Sequence, residues 1–442
     1  MTTLDDLKNA AHREIESNAD KILNICSTIL DNPEPGFREI KTGKTVNEVF
    51  SSMGVPFKTG LALTGSRAEI TFKNPGPTVA ILGELDSLIV KEHPFSDPKT
   101  GAAHACGHHC QIGMMLAAGM ALNTEIMQDE LCGRIILMAV PAEEYIEIEY
   151  RDTLRALGKL EFLGGKPEFI RLGEFDDVDI AMMMHTTSDP EEKQICISGT
   201  NNGTVAKRIK FIGKGAHAGG APHLGINALN AASLALSAIH YNRETFRDND
   251  TIRVHPIITK GGEAVSAVPS EVTMETFIRG KTMEAIMDAN AKVDRALRAG
   301  ALAVGAQVNI KTIPGYMPLS QDPNLMNILK ENATYLVGEE NIGRRIHGTG
   351  STDMGDVSQI MPIVHPYVGG ATGIGHGATY VIEDYQLAVL TAAKTLASTA
   401  IDLLSNSARL GNEVLGKHRP NMTSAEYLSY MRNLNSDTTY DS

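Results

Sequence analysis

Three stretches of this chain are apolar almost without interruption: Thr78–Leu85 (TVAILGEL), Gly133–Val140 (GRIILMAV) and Val178–Met184 (VDIAMMM). A strand that packs on a core with one face alternates apolar and polar residues. Unbroken runs of this length predict strands covered on both faces, the situation of a central parallel sheet. Met114–Leu122 (MMLAAGMAL), between the first two runs, reads as a buried helix linking them. Two helices over roughly 3–17 and 18–30 precede this region and end at the turn Asp31–Gly36 (DNPEPG). Met361–Val368 reads as a further strand and Tyr385–Leu404 as a closing amphipathic helix, with a polar, loosely held tail beyond about Arg419.

The pattern changes between Val205 and Ile313. There the order is strand, helix (Asn227–His240), strand, strand, helix (Met283–Val304), strand, which is the βαββαβ plan of a ferredoxin-like domain. The expected fold class is α/β: a catalytic, metal-binding domain with a mostly parallel central sheet over residues 1–203 and 318–442, interrupted at 204–317 by an inserted α+β domain. Two domains also suit 442 residues, a length at which single cores have stopped growing.

The formal charge of −13 argues against nucleic acid or an anionic membrane surface as a partner, since neutralising phosphates needs a basic face. No apolar run reads as long enough to span a bilayer, and the acidic start MTTLDDLKNAAHREIES does not read as a signal peptide. Five scattered cysteines fit a reducing compartment, so the expectation is a cytoplasmic protein.

Open α/β sheets bind ligands outside the carboxyl ends of their strands. Glu84 and Asp86 end the first run, Glu143 and Glu144 follow the second, and His185 follows the third. Alone, a histidine ending a strand is usually a core residue, and paired acids suit any helix start. Their coincidence on one rim points to metal or proton-transfer chemistry. The sharpest local signal is His104-Ala105-Cys106-Gly107-His108-His109-Cys110, where Cys106 and His108 flank a glycine just before a helix and can face one ion. Thiolate, imidazole and carboxylate together suit zinc, manganese, cobalt or nickel better than magnesium or calcium. Gly373–Gly377 sets His376 in a glycine-rich turn. Two phosphate-loop look-alikes fail: Thr42–Thr45 has Arg38 where glycine is needed, and Gly213–Gly215 is followed by Ala218.

With these residues the chain resembles the aminoacylase and glutamate-carboxypeptidase family of metallopeptidases, in its amidohydrolase branch. The resemblance runs through Asn32–Phe37 (NPEPGF), His104–His108, Pro141–Glu144, Asp177–His185, Gly213–His223 (GKGAHAGGAPH), Ser351–Asp356 (STDMGD) and the His376 turn. That branch includes indole-acetyl-amino-acid hydrolases and aminobenzoyl-glutamate hydrolase, and the family also includes nitroanthranilate aminohydrolase. The resemblance implies that Cys106, His108, Glu144, His185 and His376 are metal ligands, that Glu143 is the general base, and that Asp86 orients them. It implies that the inserted domain mediates dimerisation and carries His217 to the neighbouring subunit's substrate. The sequence departs from the branch at His109, Cys110 and Gln111, and again at Tyr145–Tyr150.

The expected activity is therefore hydrolysis of a C–N bond with one or two divalent transition-metal ions per subunit. The substrate expected is a small molecule bearing a carboxylate, an N-acyl or N-aroyl amino acid or a dipeptide, and the assembly a homo-oligomer. Arg279, at the end of an inserted-domain strand, is a candidate to grip that carboxylate, with a plain surface arginine as the even alternative. Two other activities fit the same residues: loss of ammonia from an aromatic amine such as a nitroanthranilate by attack of metal-activated water, and metal or ligand binding without catalysis. Intact Glu143 and a full ligand set argue against the last.

Overall fold

The computed structural model describes residues 2–441. The chain forms two compact units, one of Met1–Gly199, Ser320–His347 and Asp356–Ser424, the other of Thr200–Leu319, Gly348–Gly355 and Ala425–Ser442.

The first unit is built on a six-stranded sheet in the order Phe57–Leu61, Gly65–Thr71, Cys132–Val140, Asn74–Glu84, Ile180–Met182, Ile363–Val364. The last four run parallel, and an antiparallel hairpin closes the other edge. The parallel register sets Glu84 opposite Val140 and Ile81 opposite Met182, so the carboxyl ends of these three strands share one rim. The helix His108–Leu122 is buried at every residue. Gly83 lets its first turn lie directly on the strand end, for a Cβ there would stand 3.0 Å from the Gln111 carbonyl oxygen.

Two of the expected strands are broken, and the break serves the site. Val178–Met184 is a strand only over Ile180–Met182 before His185–Thr186 joins a second sheet. Met361–Val368 likewise splits at His365-Pro366 into Ile363–Val364 and Tyr367–Val368. Proline has no N–H for a ladder, and beyond it the two chains move together: Tyr367 and Val368 pair in parallel with His185 and Thr186. His185 is thereby carried off the main sheet.

The closing helix also differs from the expectation. It opens with a π-helical turn, Gln386–Thr391, and its α-helical part, Ala392–Leu404, is buried almost all round rather than amphipathic. Gln386–Leu404 is long and apolar enough to cross a membrane by length and composition, contrary to the sequence reading, but 83% of its most apolar stretch is buried within the fold.

The second unit has an antiparallel sheet ordered Arg253–Val254, Glu271–Gly280, Gly203–Ile212, Gln307–Tyr316, Ser436–Tyr440. Its helices Ala228–Tyr241 and Met283–Val304 cover one face, around Val205, Ile209, Val272, Met274 and Ile278. Asn227 and Thr282 cap these helices with side-chain oxygens, and Gly305 ends the longer one in the left-handed conformation. The first four strands follow ferredoxin-like order; the fifth corrects the reading of the tail. Ser436–Tyr440 extends the sheet against Val308–Thr312, and Leu434 and Tyr440 pack on this unit's core. The free ladder of Gln307–Tyr316 draws the tail into the second unit, not into a domain spanning 318–442.

Candidate metal centre

Each chemical group on the rim is aimed by its own backbone device. Gly107, at φ 86°, turns the chain so that Cys106 and His108 lie on either side of it. A Cβ on Gly107 would stand 2.0 Å from Thr186 Oγ1, whose hydroxyl is 2.7 Å from the Tyr380 hydroxyl and donates to the Cys106 carbonyl at 3.3 Å. Ala142 adopts φ 56° in the turn that presents Glu143 and Glu144. His376 adopts φ 63°, and its N–H donates to the Ala105 carbonyl at 2.9 Å, tying its turn to the cysteine loop.

These devices bring the donors into two triads. The ligand atoms of Cys106, His108 and His185 lie within 4.8 Å of one another, and so do those of Cys106, Glu144 and His376. The two triads share the Cys106 sulfur. Its Sγ is 3.3 Å from His185 Nε2, and His376 Nε2 is 3.4 Å from Glu144 Oε1. A third group, Glu84, His108 and Glu143, meets the same distance limit and is fully buried. His108 Nε2 faces Glu84 Oε2 at 3.2 Å, and Glu144 Oε1 faces His376 Nε2, yet none of the buried His108 Nε2, Glu84 Oε2 and Glu144 Oε1 atoms makes a well-formed hydrogen bond among the described residues. Buried polar atoms nearly always have one, and a divalent cation is the partner that this mixture of thiol, imidazoles and carboxylate suits. The residues fit one or two such ions.

A further layer fixes the donors. Asp86 accepts from the Glu144 N–H at 2.9 Å, and its own carbonyl, 2.9 Å from His108 Nδ1, turns the other ring nitrogen toward the cluster. Glu39 accepts from the Ala142 N–H at 2.8 Å and from the Thr64 hydroxyl at 2.6 Å. Burial, then the charge of Asp86, raises the Glu39 carboxyl to about 7. Buried Arg151 donates to the carbonyls of Ala142 and Leu163, at 3.1 and 2.7 Å, and to that of Glu144. The Tyr145–Tyr150 departure thus leads into the helix Ile148–Ala156, whose arginine clamps the Glu143 turn. Lys166, fully buried, holds Glu84 at 2.6 Å. Burial would raise the Glu84 carboxyl, but Lys166 and then His108 hold it down at about 2. Burial and the neighbouring Glu144 push the Cys106 thiol well up, and burial with His108 holds His185 down at about 4. Bound cations would favour the thiolate.

Gly107→Ala tests the loop. A left-handed L-residue costs about 1–2 kcal/mol, and the Thr186 contact adds to that. The variant is expected to unfold at lower temperature and bind metal more weakly; unchanged thermal unfolding and metal titration would show that the turn has slack.

Two sequence candidates belong to the second unit. His217 is exposed, and its Nδ1 accepts from the Gly219 and Gly220 N–H groups at 3.1 and 2.9 Å, which leaves Nε2 to carry the proton. Arg279 is half-buried in the strand Glu271–Gly280, 5.3 Å from the Phe277 ring centroid.

The sequence model of Peptidase family M20/M25/M40 matches residues 80–401. The chain belongs to that family. As a member of it, this protein is a hydrolase of C–N bonds. Over 429 residues it is 29% identical to Xaa-Arg dipeptidase of Mus musculus, spanning 92% of this chain and 91% of the relative. It is 25% identical over 361 residues to IAA-amino acid hydrolase ILR1-like 4 of Arabidopsis thaliana, spanning 79% and 77%. Its fold matches an aminobenzoyl-glutamate utilization protein of Klebsiella pneumoniae with a TM-score of 0.67 at 18% identity, covering 88% and 97% of the chains. It also matches a Bacillus subtilis dinuclear metal-binding peptidase of the M20 family with a TM-score of 0.64 at 20% identity, covering 88% and 99%.

Proposed function

We propose that this protein hydrolyses the amide bond of a small N-acyl or N-aroyl amino acid, or of a dipeptide. Cys106, His108, Glu144, His185 and His376 are the ligands of one or two zinc, manganese, cobalt or nickel ions. The observation that carries this reading is the pair of donor triads meeting at Cys106, with Glu143 beside His108. Divalent ions held there would acidify water and polarise a carbonyl. Glu143 takes the proton from the attacking water and delivers it to the leaving nitrogen. Asp86 keeps His108 and Glu144 in place throughout. The names of the relatives support the substrate class: a dipeptide, an amino acid conjugate and aminobenzoyl-glutamate are all acyl groups on an amino acid. Arg279 is assigned to the free carboxylate of such a substrate.

A panel of N-acyl amino acids, dipeptides and aminobenzoates tests the proposal. Release of a free amino acid from at least one member is expected. Ammonia from an aminobenzoate, with no amino acid released from any conjugate, would replace amide cleavage by hydrolytic deamination.

His217, with its proton held on Nε2 by two backbone donors, is assigned to stabilise charge developing on the carbonyl oxygen. In a two-fold dimer it acts in the neighbouring subunit's site. Glu143→Ala and His217→Ala are each expected to be inactive alone. After verified subunit exchange, the mixture should regain part of the activity, because some sites then hold both groups. A mixture that stays inactive would confine His217 to its own chain or remove it from catalysis.

A further inference from the structure

His104 and His109 have no part in the chemistry above, yet both are almost fully buried, at 2% and 1% exposure. Both line a cavity of about 380 Å³ in the first unit, and none of the five proposed metal ligands lines it. Nδ1 of His109 has no hydrogen-bond partner among the described residues, and the His104 ring has only the Ile29 backbone beside it, which leaves one of its two nitrogens open. The third histidine there is different: His93 accepts from the Phe95 N–H at 3.2 Å and lies 2.6 Å from the Tyr380 carbonyl, so its ring is satisfied. Imidazoles left with an open ring nitrogen in a cavity, next to one fully provided for, mark where a ligand's polar atoms belong.

The walls indicate the rest of the ligand. Six of the twelve lining residues carry aromatic rings, and Leu23, Leu30, Val381 and Ile382 supply aliphatic surface. The His104 and His109 rings stand 5.2 Å apart at 52°, and Tyr385 meets His109 edge-on at 5.8 Å, with its hydroxyl 3.0 Å from Nε2. Such surfaces receive flat aromatic molecules, by stacking and edge contacts. A cavity of about 150 Å³ holds one benzene ring, so this one has room for two fused rings. Tyr385 also stands at the start of the π-helical turn Gln386–Thr391, a local irregularity frequent at functional sites.

We propose that this cavity is a second binding site, for an uncharged two-ring aromatic molecule bearing a ring N–H or hydroxyl that pairs with the His104 and His109 nitrogens. An anionic group would find no Lys or Arg among the lining residues, and the one carboxylate there, Asp31, is exposed to solvent. Since His104 and His109 bracket Cys106 and His108 in the chain, an occupant would touch the loop that carries two of the assigned ligands.

Indole is a suitable probe, and the chain contains no tryptophan to obscure its fluorescence. Titrating indole with the metal-loaded protein is expected to give a saturable change. Leu30→Phe and Ile382→Phe, which enlarge two lining side chains from separate segments of the chain, should each weaken binding about tenfold or more. Metal content and hydrolysis should remain as in wild type, so failure of the catalytic proposal would not affect this test. Absence of saturable binding at millimolar indole, or undiminished binding in both variants, would overturn the proposal. If one variant loses its metal content, the other decides.

Discussion

Glu143→Gln is expected to keep its metal and lose about 10²- to 10⁴-fold in rate, the usual worth of a positioned general base. Glutamine preserves the shape of the side chain in a turn fixed by Glu39 and Arg151, so the backbone around it has no cause to move. What disappears is the capacity to accept and return a proton. Metal content has to be measured alongside, because Glu143 also lies within ligand distance of Glu84 and His108. Full metal content with a collapsed rate identifies the base. A fall in metal content would identify a ligand instead, and a variant retaining more than about a tenth of the rate would show that the proton goes elsewhere.

Cys106→Ser is expected to strip the centre. Its sulfur is the one donor common to both triads, and it is the softest of the set. A serine hydroxyl stays protonated and cannot replace a shared thiolate. Metal affinity should fall by more than the roughly 10- to 100-fold that follows loss of an outer hydrogen-bond partner. His376→Ala is the control, since it removes a donor from one triad only and should leave the Cys106, His108, His185 group able to bind. If Cys106→Ser loses no more metal than His376→Ala, the sulfur is not shared. Unchanged retention would return Cys106 to the core and leave the metal to the Glu84, His108 and Glu143 group.

The strand ends were legible because burial on both faces removes polar residues from a strand, leaving its terminal acids and histidine conspicuous. Glu84, Glu143 and His185 could thus be placed on one rim from the pattern alone. The residues that hold them were not legible. Glu39 reaches the Ala142 N–H across 103 positions, and Lys166 reaches Glu84 across 82. Neither has a local pattern that separates it from a solvated charge. Arg151 was hidden for a different reason: it follows the Tyr145–Tyr150 departure on a short helix, and only the fold shows its guanidinium turned inward. The split at His365-Pro366 had a visible signal, the proline, but an apolar run around it outweighed that signal. The tail misled because a polar edge strand looks like a loose end until its partner strand is known.

Hydrolysis by this protein is proposed to depend on divalent metal held by these side chains. That dependence is tested most directly by following amino acid release from an N-acyl amino acid with chelator-stripped protein, while zinc, manganese, cobalt or nickel is added back in measured amounts. No release is expected from the stripped protein, with recovery that saturates at one or two ions per chain. Release at the full rate from stripped protein, with no response to added metal, would contradict it.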